Sequence, residues 1–186
     1  MPIDDILLEA EEKMIKTEEV VHTDFASIRT GKASPTLVEN IQAEVYGSMM
    51  RLRELANIST PEPRMLVIQP WDATSVKAIE QAIQKANIGI NPVVQGKLIR
   101  LVLPDLSTEQ REKFVKACKK MAEDGRVAVR HVRRDAMESL KKETKTSGVT
   151  EDDVESAEAE VQKLTDQYIK KIDDQLAHKE ADIMKV

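Results

Sequence analysis

Leu7, Met14, Val21 and Ile28 recur at strict seven-residue spacing, with Ile3, Ala10 and Thr17 between them. Such a period lines apolar side chains along one stripe of a helix. A helix carrying it over residues 3–28 cannot bury that stripe alone and demands partner helices. Asp4 and Asp5 suit its first turn, where free N–H groups favour negative charge. A second run begins at Ser107, a cap candidate with Gln110 three positions on. Its seam is Phe114, Cys118, Met121, Gly125, Ala128, Val132, Ala136 and Leu140, in steps of three or four. A helix over about 107–146 is about 60 Å long at 1.5 Å per residue, and Thr146, Ser147 and Gly148 end it. Thr150 then caps a third run, with Asp153 at the capping-box position. The third seam is Val154, Ala157, Val161, Leu164, Tyr168, Ile172, Leu176 and Ile183. Three long amphipathic helices, two of them joined by a short turn, make a three-helix bundle.

Between the first and second helices the period changes. Ile41, Ala43 and Val45 alternate with polar residues, a half-buried strand. RMLVIQP (64–70) is a short apolar strand, and KLIRLVLP (97–104) alternates again. Asp72 can cap a helix with inner face Val76, Ile79, Ile83 and Ala86 that ends at Gly89. Six of the seven prolines and four of the six glycines lie between 31 and 104. The fold expected is therefore α+β: a bundle of residues 1–30 and 105–186 with a small β/α/β domain, 31–104, inserted in it. Two segments, TGKASP (30–35) and LPDLS (103–107), join insert to bundle. Gly31 permits unusual backbone angles and Pro104 restricts the residue before it, which makes the pair a candidate two-chain hinge.

Composition excludes several function classes. The aromatics are Trp71, Tyr46, Tyr168, Phe25 and Phe114 alone, too few for a binder that stacks single-stranded bases on rings. Trp71 reads as a packing residue of the insert. Cys118 is the only cysteine, so no internal disulfide or cysteine zinc cluster is possible, as suits a reducing cytoplasm. It reads as a small core residue. The acidic start MPIDDILLEAEEK has no basic region before an apolar run, so no signal peptide is expected, and no apolar run approaches membrane-spanning length. RTGKAS invites a phosphate-loop reading, but Ala26 stands where that motif needs glycine and Ala33 where it needs Ser or Thr. His22, His131 and His178 show no ligand spacing, so no metal or cofactor is expected. No nucleophile elbow is present, and acidic pairs such as Asp4/Asp5 and Asp152/Asp153 look like helix-start charges. The chain does not read as an enzyme.

Charge is distributed unevenly. The chain has 28 Lys plus Arg against 33 Asp plus Glu, net −5, yet residues 107–147 hold 12 basic and 7 acidic side chains. Residues 1–28 and 149–186 are each net −6. The middle helix of the bundle is thus basic between two acidic ones. Within it, RVAVRHVRRD (126–135) gathers Arg126, Arg130, Arg133 and Arg134. The seam residues cluster within about 120° at about 100° per residue. Arg126, Arg130, Arg133 and Lys119 fall close together beyond that seam, on a face expected to point away from the bundle; Arg134 lies further round. Two readings stay open on this evidence: a solvated helix face, or a surface for RNA phosphate, whose oxygens match guanidinium forks. A coiled-coil adaptor that binds other proteins is the alternative function.

Several segments carry a specific resemblance. RTGKASPTLVENI, LRELANIS, AIQKANIGINP, LPDLSTEQREKFVK, RVAVRHVRRDA and VQKLTDQYIKKIDDQLAHKEADIM resemble bacterial ribosome recycling factors, in order and across essentially the whole chain. His131 departs from the small polar residue more usual there. The resemblance implies an L-shaped, two-domain molecule, active as a monomer in the cytoplasm. Its partners would be the post-termination ribosome, chiefly large-subunit ribosomal RNA, and elongation factor G with its GTP. Subunits would separate, and mRNA and tRNA leave, for a new round of translation. Carried over residue by residue, Arg29, Arg130 and Arg133 are RNA contacts. Arg126 joins them on the angular argument, with Arg134 and Lys119 beside them. Thr30, Gly31, Pro104, Asp105 and Leu106 would form the hinge.

Overall fold

The computed structural model describes residues 2–146 and 148–185, so the helix stop assigned to Ser147 lies outside the described residues. In chain order the elements are α1 (Ile3–Ser27), β1 (Gln42–Val45), β2 (Ser48–Arg51), α2 (Leu52–Leu55), β3 (Ala56–Glu62), β4 (Met65–Pro70), α3 (Val76–Ala86), β5 (Pro92–Gln95), β6 (Leu98–Val102), α4 (Thr108–Thr146) and α5 (Glu151–Met184). They form two compact units. One takes in the chain up to Thr30 and from Thr108 on; the other is Gly31–Ser107.

In the first unit, α1, α4 and α5 pack pairwise into a bundle. The buried face of α1 is Ile6, Ala10, Met14, Val21 and Phe25. Leu7, Thr17 and Ile28 of the seven-residue pattern are only half-buried. An α-helix turns once per 3.6 residues, so steps of three and four track the core better than a strict seven. On α4 the buried residues are Cys118, Ala122, Gly125, Val129, Ala136, Leu140 and Glu143. Phe114, Met121 and Val132, expected in the seam, flank it instead. At about 100° per residue, the true inward direction of α4 is turned by about 35° from the one the sequence pattern suggests.

From Cys118 to Ala136 the core side of α4 is small, and Gly125 sits where all three helices meet. A Cβ built there would lie 2.5 Å from Cγ2 of Val21 on α1 and 3.3 Å from Cδ1 of Ile172 on α5. Both ends of α5 are also secured. Thr150 Oγ1 accepts from the Asp153 N–H at 3.2 Å and donates to Asp153 Oδ2 at 2.6 Å, so Thr150 caps α5 as expected. At the other end of α5, Arg111 Nη1 of α4 donates to the carbonyl oxygens of Ile183 (2.9 Å) and Lys185 (2.7 Å). Those are last-turn carbonyls with no partner inside their own helix.

The second unit holds a four-stranded antiparallel sheet, ordered β3-β4-β6-β5, and a separate β1–β2 hairpin. Leu66 and Ile68 of β4 and Ile99 and Leu101 of β6 point to one face, where Ile79 and Ile83 of α3 join them in the core. Both residues of the β1–β2 turn, Tyr46 (φ 54°) and Gly47 (φ 75°), are left-handed, the geometry that matches the twist of a tight hairpin. Asp72 Oδ1 accepts from the Thr74 N–H at 2.9 Å and caps a 3₁₀ turn (Ala73–Ser75) that leads into α3. That bond holds the Asp72 carboxyl below the usual range.

Two expectations are corrected here. Trp71 is 70% exposed; its backbone N–H is fixed to Leu55 but its ring packs on no core. Ala86 is exposed in the last turn of α3, beyond the sheet that Ile79 and Ile83 cover.

Gly125→Ala tests the close approach. Helix propensity alone would favour alanine by about 1 kcal/mol. The overlap with Val21 reverses the sign, and net destabilisation of about 1–3 kcal/mol is expected. Thermal unfolding should show it as a midpoint lowered by about 2–4 °C per kcal/mol in a chain of this size.

Candidate functional site

The turn of α4 decides where its arginines lie. At about 100° per residue, Arg133, Arg126, Lys119 and Arg130 span about 60°. With the inward direction where the structure places it, Arg133 is about 50° and Arg126 about 70° from the core line. They flank α5 and do not face away from the bundle, which corrects the outward expectation for these two. Arg126 Nε donates to Glu123 Oε2 at 3.0 Å and Nη1 to Asp173 Oδ1 of α5 at 2.5 Å; only 20% of its side chain is exposed. Arg133 is half-buried, and its Nε donates to Gln162 Oε1 of α5 at 2.6 Å.

The remaining members are open. Arg130 is 52% exposed, with a 3.4 Å bond from Nη1 to Glu123 Oε1. Arg134 and Lys119 are exposed. Arg29, exposed just after α1, belongs to the same unit.

The electrostatics differ along this face. Burial alone pushes the Arg126 guanidinium down, but its bonds to Glu123 and Asp173 outweigh this and hold it above its ordinary value. The bond from Arg126, which slight burial opposes and Arg130 reinforces, keeps the Glu123 carboxyl below the usual carboxylate range. Arg133 instead meets an amide, and among the described residues no carboxylate pairs with it. Gln162 is itself held, since its Nε2 donates to Asp166 Oδ1 at 2.9 Å. Gln162, Asp166 and Asp173 were not singled out from the sequence. Their signal was the register of α5: each sits one residue after a seam position or its buried neighbour (Val161, Thr165, Ile172), on the side toward α4.

Both segments assigned to the hinge are fastened within the second unit. The β3–β4 turn takes part in three fastenings. Ala33 N–H donates to Pro63 O at 2.7 Å, Leu103 N–H donates to Arg64 O at 2.8 Å, and the Arg64 guanidinium pairs with Asp105. Gly31 adopts φ +81°, and a Cβ there would sit 3.6 Å from the Leu106 side chain. Thr30 is half-buried, and Pro104 is exposed.

Elsewhere, His22 and His178 line one open groove of about 420 Å³ between α1 and α5, with Phe25, Asp174 and Asp182. Among the described residues no cluster of His, Cys, Asp and Glu can hold a metal ion. Cys118 is buried and free, and burial pushes its thiol up.

Residues 21–184 match the family model described as Ribosome recycling factor. The chain belongs to this family. It is 48% identical over 177 residues to the ribosome-recycling factor of Caldicellulosiruptor saccharolyticus, covering 95% of this chain and 96% of that one. It is likewise 48% identical over 184 residues to that of Syntrophomonas wolfei, covering 99% and 100%. A solution structure of a ribosome recycling factor superposes with TM-score 0.80 at 42% identity, covering 100% and 99% of the two chains. A second similar structure (TM-score 0.66, 39% identity, full coverage of both chains) represents the T. thermophilus ribosome recycling factor with E. coli elongation factor G bound to the E. coli post-termination complex. Ribosome recycling factors are non-enzymatic translation factors, and the protein functions in ribosome recycling. The adaptor alternative gives way to this membership. None of the described helices is long and apolar enough to cross a membrane.

The Glu123 network carries a pH signature. A carboxyl with a lowered folded pKa adds stability above its unfolded value and loses it as pH falls through the folded value. Glu123→Gln should therefore be less stable than the parent at neutral pH. The two should converge as pH drops below the ordinary carboxylate range, measured as thermal midpoints across an acid titration.

Proposed function

We propose that the basic face of α4 seats the bundle unit on large-subunit ribosomal RNA after peptide release. Arg29, Arg126, Arg130, Arg133, Arg134 and Lys119 make the contact. With elongation factor G and its GTP, the protein then drives the subunits apart, and mRNA and tRNA leave. It acts as a monomer in the cytoplasm, where bacterial ribosomes work, and it needs no cofactor of its own.

The observation that carries this reading is a local excess of guanidinium and ammonium groups on α4 of a net-acidic chain. Arg130, Arg134 and Lys119 are exposed, and Arg133 has an amide as its partner where a carboxylate would cancel its charge. Guanidinium forks match phosphate oxygens in pairs, and such a patch dominates within about one Debye length, about 8 Å at physiological salt. The similar structure with elongation factor G on a post-termination complex supports the choice of partners.

The two units, residues 1–30 with 105–186 and residues 31–104, act in this reading as a seated rod and a swinging insert. Thr30, Gly31, Pro104, Asp105 and Leu106 form the joint. Locking the units together with engineered cysteines should abolish subunit splitting in the presence of elongation factor G and spare ribosome binding. Full splitting by the locked protein would refute the swing.

Replacing Arg130 and Arg133 together by alanine should weaken cosedimentation with ribosomes and flatten its salt dependence by about 0.9 in log–log slope for each lost phosphate contact. Thermal stability should change by no more than about 0.5 kcal/mol from the exposed Arg130 and by about 0.5–1.5 kcal/mol from Arg133, whose bond to Gln162 is lost. An unchanged slope would point to contacts with ribosomal protein.

A further inference from the structure

The arginines of α4 are held in two different ways, and the difference assigns a role to α5. Arg126 is gripped by two carboxylates through Nε and Nη1, so its charge is largely answered within the protein. Arg133 is gripped by Nε alone, and its partner is the neutral oxygen of Gln162. A guanidinium is planar, and fixing Nε fixes that plane. Nη1 and Nη2 are left to point as a fork, with the positive charge intact. The Gln162 amide is in turn oriented, because its Nε2 donates to Asp166 Oδ1. That bond settles which end of the amide faces Arg133. With the amide reversed, an N–H would confront an N–H.

We infer that Gln162, pinned by Asp166, is a positioning residue for Arg133: it presents a preorganised, fully charged fork to one phosphate of the RNA. The inference rests on the RNA-binding role proposed for the α4 face. Preorganisation raises affinity by removing the ordering that an arginine otherwise undergoes on binding. A carboxylate at position 162 would hold the plane equally well but cancel the charge. An aliphatic residue would keep the charge but release the plane. An amide supplies both properties.

The experiment is a double-mutant cycle on the full-length protein, read as affinity for purified large ribosomal subunits across a salt series. Gln162→Ala should weaken binding by about tenfold, within the usual range for coupled neighbours, with an unchanged melting temperature. In an Arg133→Ala background the same change should have no further effect. Gln162→Glu, close to isosteric, should weaken binding and also flatten the salt slope by about one contact. Asp166→Asn, which keeps an acceptor for the amide, should bind as wild type, while Asp166→Ala should fall toward Gln162→Ala. Equal losses from Gln162→Ala with and without Arg133 would overturn the inference, as would wild-type affinity for Gln162→Ala when Arg133→Ala binds weakly. Wild-type affinity for Arg133→Ala would instead overturn the RNA-binding role on which it rests.

Discussion

Because Gly125 has no side chain, Val21 of α1 and Ile172 of α5 sit directly against the backbone of α4. The neighbouring core positions of α4 follow suit, with Cys118, Ala122, Val129 and Ala136 all small, before Leu140 and Glu143 restore bulk toward its C-terminal end. Bulk comes from the neighbours instead: Met14 and Phe25 on α1, Tyr168 and Ile172 on α5. Interiors pack near crystal density, so a thin helix between two bulky ones brings the axes close. This approach lets short polar side chains of α5 reach the flank of α4. Gln162 and Asp173 of α5 touch Arg133 and Arg126 along that flank. A larger residue at 125 would disturb the core and the arginine face together.

The same geometry explains why an acidic helix beside a basic one does not neutralise it. Exposed ion pairs between neighbouring helices add little stability each, and along the arginine face the described residues make one across α4 and α5. Arg126 takes Asp173, while Arg133 takes an uncharged partner. Glu123, the acidic residue within the basic stretch, spends its carboxylate on both Arg126 and Arg130. The basic face is graded, from nearly compensated at Arg126 to open at Arg134.

Much of this was legible in the chain. Three long amphipathic runs with caps at Thr150 and Asp72 gave helices where the structure has them, because local capping and periodicity are short-range. Helix facing was less legible. Phe114, Met121 and Val132 are large and apolar and drew the expected seam toward themselves, whereas the buried Ala122 is small and carries little pattern signal, and Val129 was left out of the seam with it. That error of about 35° put Arg126 and Arg133 on the wrong side of the α5 boundary. In the insert, β2, β3 and β5 escaped notice. Pro92, which has no N–H to donate, opens β5, an edge strand and so a place where proline is tolerated, and Pro61 lies inside β3, the other edge. The partners of the arginines were invisible, since pairing between Gln162 and Arg133 depends on the relative register of two helices.

The β3–β4 turn holds Ala33 through Pro63 and holds Leu103 and Asp105 through Arg64. The entering and departing chains are therefore moored to neighbouring residues of one short loop. Both connections thus share one anchorage within their own unit, and a substitution that reshapes that short loop would reach the two of them at once.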